Sequence, residues 1–183
     1  MKSSKAAIII MLVAILGSST ISAVTSMNSM AAKVTNYFYN GDGQYTNQSI
    51  YNDIVDKTEI ATNLVSLSKN YVSGNDAHIK AINSRINDIN SEKSVSKLYK
   101  LNQTLDTNVD WLLETLKNSV GSLGRDYDLY VKYMSNYRSE VMTINSSDYN
   151  TKVREYDKET KGFPGSLFRV FVKNAEYFEW EKK

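Results

Sequence analysis

The sequence has no cysteine, one proline, one histidine and only 8 glycines in 183 residues. Without cysteine there can be no disulfide, no thiolate metal site and no lipid carried on a thiol, although this absence does not choose a redox compartment. A single histidine, His78, has no second histidine or cysteine to join it in a metal centre, and it opens a helical stretch beside Asp76, so no metal is expected. Serines are plentiful, but no pattern pairs one with His78 as nucleophile and base. Gly41-Asp-Gly43 is too short a signal to count as a phosphate loop. The net charge is only +2 and the basic residues are scattered, which argues against a nucleic-acid partner. No catalytic residue, cofactor or small-molecule substrate can be read from these residues. With so few breakers, and Pro164 the sole proline, long helices are favoured over short strands.

What is present starts with the amino terminus. Lys2 and Lys5 precede the apolar run Ala6–Leu16, and no further charge follows until Lys33. The uninterrupted run is short, as in a signal peptide. Extended to Val24 it reaches the ~20 residues needed to cross a bilayer. The preferred reading is a retained signal-anchor or transmembrane segment over 1–26, contacting the membrane through residues 6–24. The alternative is cleavage near Ala23 or Ala32, releasing a secreted binding module that engages a peptide or surface polymer. Lys2 and Lys5 favour a single-pass protein of the cell membrane with the bulk of the chain extracytoplasmic. Residues 27–48, with Tyr37-Phe38-Tyr39 and the turn signal Asn40-Gly-Asp-Gly43, read as a spacer. The aromatic trio fits either the headgroup level or packing against the end of a bundle.

Helical periodicity dominates the rest. A first helix is expected from about Ser49 to Tyr71, with Ile50, Ile54, Ala61, Leu64, Val65, Leu67 and Tyr71 on its apolar side. Asn75 or Asp76 can cap the next helix, whose Ile79, Ile82, Ile86 and Ile89 form a tight seam that wants a partner helix. Leu98 lies nine residues past Ile89, out of phase, so Asn90–Ser94 is a loop, a kink or a stutter. Leu98, Leu101, Leu105, Val109, Leu112, Leu116 and Val120 make the next stripe, which Gly121–Gly124 ends. Tyr127, Tyr130, Met134, Tyr137, Val141 and Ile144 lead into Tyr149, Val153, Tyr156, Thr160 and Phe163, and one helix over 126–161 is preferred to two. Gly162 in a left-handed conformation and Pro164 behind Phe163 would stop it. The fold expected is all-α: an elongated up-and-down antiparallel bundle of about four helices over 49–183, behind the N-terminal helix.

Asp53, Asp56 and Glu59 lie three apart on the first helix and could do acid–base work if buried, but a solvated face is expected. Of the 13 tyrosines, Tyr127, Tyr130 and Tyr137 share a face, which suits core packing better than a surface for a partner helix or glycan. The tail Glu176–Glu181 either closes the bundle's end or sits at an interface.

Tyr149-Asn150-x-x-Val153-x-x-Tyr156, then Phe163-Pro164, then Tyr177-Phe178-Glu179 resembles the carboxy-terminal signature of the bacterial LemA family. The likeness covers residues 149–183, and Tyr51-Asn52-x-x-Val55 behind an apolar amino terminus looks like the family's other landmark. Asn75–Ile82 stands where the family carries an arginine-rich element, and Asp157 stands where it carries asparagine, so the chain resembles a divergent member. The resemblance implies a small membrane-anchored antiparallel bundle with no established activity or cofactor, its motif residues structural. The anchor, the long amphipathic helices and the lack of any reactive constellation make an interaction or scaffold role, through a protein partner or self-association, the expected function.

Overall fold

The computed structural model describes residues 2–41, 49–121, 124–162 and 164–179, with the side chains of 2–10 and 12–16 excepted. The elements are α1 (Lys2–Asn40), α2 (Ile50–Ser68), α3 (Ala77–Ser91), α4 (Val95–Ser119), α5 (Arg125–Ser146) and α6 (Tyr149–Lys161), followed by a 3-10 helix, Gly165–Phe171. Six α-helices and no strand among the described residues make the chain all-α, as its periodicity predicts.

Local chemistry sets the boundaries. Ser49 Oγ accepts the Asn52 N–H at 3.1 Å, and Asp76 Oδ1 accepts the His78 N–H at 2.7 Å. Ser94 Oγ closes the same kind of cap with the Lys97 N–H at 3.4 Å. Each cap satisfies an orphan donor and contributes about 1 kcal/mol. The phase slip expected at 90–94 is a loop: α3 ends at Ser91, and Ser94 starts α4 afresh.

Packing follows the seams. In α2 the buried positions include 50, 54, 57, 61, 64 and 68, and in α4 they include 98, 102, 105, 109, 112 and 116. Both sets alternate four and three, the pitch at which two helices seal against each other. α5 adds Tyr130, Tyr137 and Ile144 at intervals of seven. α2 packs chiefly on α5, α3 on α4, and α2 also touches α3 and α4, forming a helical bundle. Tyr71, just past α2, donates to Asp126 in the first turn of α5 at 2.7 Å, while Ile50 at the head of α2 shares a cleft with Ser146 at the foot of α5. These two helices therefore run in opposite directions. His78 in the first turn of α3 stacks on Trp111 in the second half of α4, with ring centroids 4.3 Å apart, so that pair is antiparallel too.

Several expectations need correction. Residues 126–161 form two helices. Ser147 takes an extended backbone (φ −64°, ψ 140°) and its hydroxyl accepts the Tyr149 N–H at 3.3 Å. Ile144 and Tyr149 are both buried but five residues apart, about 140° out of phase on a straight helix, so the break lets both turn inward. Gly162 is not left-handed, since only Gly41 and Gly124 have positive φ among the described residues. The Gly162 N–H still bonds Lys158 O at 3.0 Å, in helical register. Close approaches occur at both glycines: a Cβ would lie 2.7 Å from Lys158 O at Gly162 and 2.2 Å from Glu159 O at Gly165. The expected spacer is helical through Asn40, and Gly41 (φ 71°) terminates α1; 42–48 lie outside the described residues. Tyr127 is exposed rather than part of the core. Phe163 lies outside the described residues.

Contacts group the chain into two units, 1–36 with 151–175 and 37–150 with 176–183, the boundaries falling inside α1 and α6. In the first unit the Lys173 N–H donates to Asn28 Oδ1 at 2.8 Å, the Tyr156 hydroxyl donates to Lys173 O, and Arg169 donates to Thr160 Oγ1 at 3.4 Å. Among the described residues no helix is long and apolar enough to cross a membrane; within Ala6–Leu16, Met11 is the one residue whose side chain they include.

Candidate functional site: an aromatic clasp and a buried lysine

Two clusters in the unit 37–150 with 176–183 bring together residues distant in sequence. The first is built on Phe38, which is fully buried, its ring 5.0 Å from Tyr39, 5.3 Å from Tyr149 and 5.4 Å from Phe178. Tyr99 meets Phe178 edge-on at 5.2 Å, and Tyr51 lies 5.0 Å from Tyr39. Such pairs add about 0.5–1.5 kcal/mol each beyond the area they bury. The aromatic trio of α1 thus packs on the bundle. The Tyr39 hydroxyl donates to Lys93 O at 2.7 Å, and the Tyr37 hydroxyl to Asp148 Oδ1 at 2.6 Å.

The tail is pinned by polar contacts around this aromatic centre. Asn150 Nδ2 donates to Phe178 O at 2.7 Å, and Asn150 Oδ1 accepts the Phe178 N–H at 2.8 Å, so one side-chain amide holds both backbone groups of one residue. The Tyr149 hydroxyl donates to Glu176 O at 2.7 Å. Burial, with Glu176 and Tyr39 nearby, pushes the Tyr149 phenol above its ordinary range and keeps it a neutral donor. The Glu176 carboxylate accepts from Ser94 Oγ at 2.6 Å and from the Ser96 N–H at 3.0 Å, at the head of α4. Burial works to raise its pKa, but the bonds from Ser94 and Ser96 together hold it below the ordinary value. Residues 176–178 of the tail close on the bundle's end through these bonds, and 180–181 lie outside the described residues.

The signature residues are not all gathered here. Tyr51, Tyr149, Asn150 and Phe178 are in the clasp. Asn52 supplies an N–H to the α2 cap, and Val55 O accepts from Thr58. Val153 and Tyr156 are buried further along α6, Pro164 is exposed at the head of the 3-10 helix, Tyr177 is half-buried and Glu179 is exposed.

The second cluster is built on polar residues that the apolar stripes of the sequence pass over. Lys57 is fully buried on the α2 seam, where its ammonium bonds Asn102 Oδ1 at 2.8 Å and pairs with Asp106. It also lies 5.1 Å from the centre of the Tyr137 ring, whose hydroxyl donates to Asp106 Oδ1 at 2.7 Å. Burial lowers the Lys57 pKa, and Asp106, Asp110 and Glu140 pull it back towards the charged form. Burial and Asp106 push the Tyr137 phenol well above its usual value. This is a satisfied polar layer across α2, α4 and α5. The signal was the spacing: 57 and 102 continue the seams of their helices, although both residues are polar.

The carboxylates of α2 divide. Asp56 and Glu59 are exposed, as expected, whereas Asp53 is only 9% exposed and overturns the solvated-face reading at its position. It borders a cleft of about 320 Å³ with Tyr37, Ser49, Thr143 and Asp148 among its walls. Burial, reinforced by Glu140 and Asp56, raises the Asp53 carboxyl to about 6. The group holds a proton into mildly acidic solution, and the hydroxyl residues Ser49, Thr143, Ser146 and Ser147 share its cleft. His78 is occupied by Trp111 and by Asn108 Oδ1, 2.9 Å from its Nδ1. No three His, Asp or Glu side chains converge to hold a metal among the described residues. Comparison with protein-family models, with curated proteins and with solved structures gives no match.

Proposed function

We propose that this chain is a membrane-anchored, non-enzymatic helical-bundle protein of the cell envelope, LemA-like, that acts as an interaction or scaffold protein through a protein partner or self-association. The observation that carries the reading is the Asn150 amide gripping both backbone groups of Phe178. Residues of the LemA-like signature are employed in shaping the fold, which is what a structural signature requires. The opposed directions of α2 with α5 and α3 with α4 favour an up-and-down antiparallel bundle. For the anchor, the support is the charge-free run 6–32 behind Lys2 and Lys5, in a helix continuous to Asn40. Lys2 and Lys5 favour an extracytoplasmic bundle.

Fractionation with protease treatment of intact cells tests anchoring and sidedness together. The chain should stay with membranes through salt and alkaline washes, and its bundle should be cut from outside. A soluble product beginning after Ala23 or Ala32, read by mass spectrometry, would replace the anchor with a secreted module. Substrate turnover by the purified protein, with no membrane partner captured, would end the non-enzymatic reading.

A further inference from the structure

We propose that the 3-10 helix Gly165–Phe171 is a second membrane contact, an apolar wedge that seats Leu167, Val170 and Phe171 at the boundary of headgroups and acyl chains. The inference rests on the anchored reading above. Leu167 is 63% exposed, Val170 84% and Phe171 65%. Single exposed apolar side chains are ordinary, but three within one seven-residue element call for an explanation. At about three residues per 3-10 turn, 167 and 170 stand one above the other and 171 lies about 120° round, so the three cover two adjoining sides of the element.

The level of this surface is set by the hydrogen bond from the Lys173 N–H to Asn28 Oδ1, which holds the chain just past the 3-10 helix against α1. Val24, the last residue of the apolar run, lies four residues before Asn28, or about 6 Å along the helix axis. If 6–24 lie in lipid, the 3-10 helix stands where α1 emerges from it. The element is also held firmly. Gly165 passes too close to Glu159 O for any side chain, Tyr156 bonds Lys173 O behind it, and Arg169 reaches Thr160.

Two features of the same unit select lipid over a protein partner. α1 itself exposes an apolar residue, Ile21, within a stretch that carries no charge from 6 to 32. Between Gly162 and Ala175 the only charged residues are Arg169 and Lys173, both positive, which suits an anionic bilayer surface.

The absence of cysteine permits a direct test. Val170→Cys, Ile21→Cys and Met142→Cys are each made in the full chain, spin-labelled and reconstituted into vesicles of phosphatidylethanolamine and phosphatidylglycerol. Collision with oxygen, which partitions into lipid, is compared with collision with a water-soluble nickel chelate. At Val170 the oxygen rate should exceed the chelate rate several-fold, and omitting phosphatidylglycerol should reduce that ratio. Met142, 72% exposed on α5, supplies the water-facing reference. A lipid signal at Ile21 with a water signal at Val170 overturns the wedge and leaves the anchor standing. Water signals at both positions overturn wedge and anchor together. A lipid signal at Val170 alone removes the spanning anchor and overturns the wedge as a second contact set by it. Shielding of Val170 from both probes means that protein covers this surface, and it rejects the lipid assignment.

Discussion

The polar layer around Lys57 and the clasp around Phe38 bury hydrogen-bonding groups in opposite ways. In the layer, a cation, a carboxylate, an amide and a phenol satisfy one another through side chains alone, across three helices. In the clasp, aromatic rings exclude water and side chains then bond backbone groups of the tail. A charge removed from water depends on its partner remaining, because its desolvation has already been incurred. A neutral side chain on backbone groups loses less, since those groups can turn to water at the bundle's end. The layer should therefore be brittle and the clasp tolerant.

The sharpest break is Lys57→Met. It strands Asp106, 22% exposed, and should lower unfolding free energy in detergent by about 3–5 kcal/mol. Lys57→Met with Asp106→Leu should recover part of that loss, because an apolar pair replaces the ionic one while the Tyr137 hydroxyl and the Asn102 amide lose their partners. An unchanged denaturation midpoint for Lys57→Met would remove the contrast altogether. Asn150→Ala comes next, at about 1–3 kcal/mol for two lost bonds, with faster amide exchange confined to the tail around Phe178. Equal acceleration throughout α2–α5 would show that the clasp is as integral as the layer.

Asp53→Asn sharpens the comparison through pH. The parent carboxyl titrates near 6 in the folded chain against an ordinary 3.8, so the native state binds the proton more tightly. Its contribution is fully present below about pH 3.8 and is lost as pH rises through about 6. The Asn variant should lack that fall and be about 1–2 kcal/mol more stable than the parent at pH 7. Parallel stability–pH curves for the two proteins would show that Asp53 does not titrate as its burial implies. The smallest effect is expected from Tyr127→Ser: an exposed residue in the first turn of α5 should change stability by no more than about 0.5 kcal/mol. A larger loss would place Tyr127 in a core it does not enter.

Much of this was legible residue by residue. The four isoleucines of α3 announced a helix in need of a partner, and three of the four are buried while Ile86 is half-buried. Asp76, one of the two caps expected before α3, supplies the carboxylate that starts it. The spacing also contained what was missed. A gap of five between Ile144 and Tyr149 breaks the rhythm of four and three, and the chain breaks there. Lys57 and Asn102 keep that rhythm, but their polarity concealed their burial. For Phe38 the sequence left bundle packing and the headgroup level open, because two of the rings that bury it come from positions 149 and 178.

Helical state, caps and seam positions were determined by the sequence alone, since each depends on residues within a turn or two of one another. The tertiary structure decided which polar residues could sit on a seam, where the tail is held and how Asp53 titrates. Those outcomes depend on the removal of water by groups far away in the chain, and no local pattern records which distant groups will arrive.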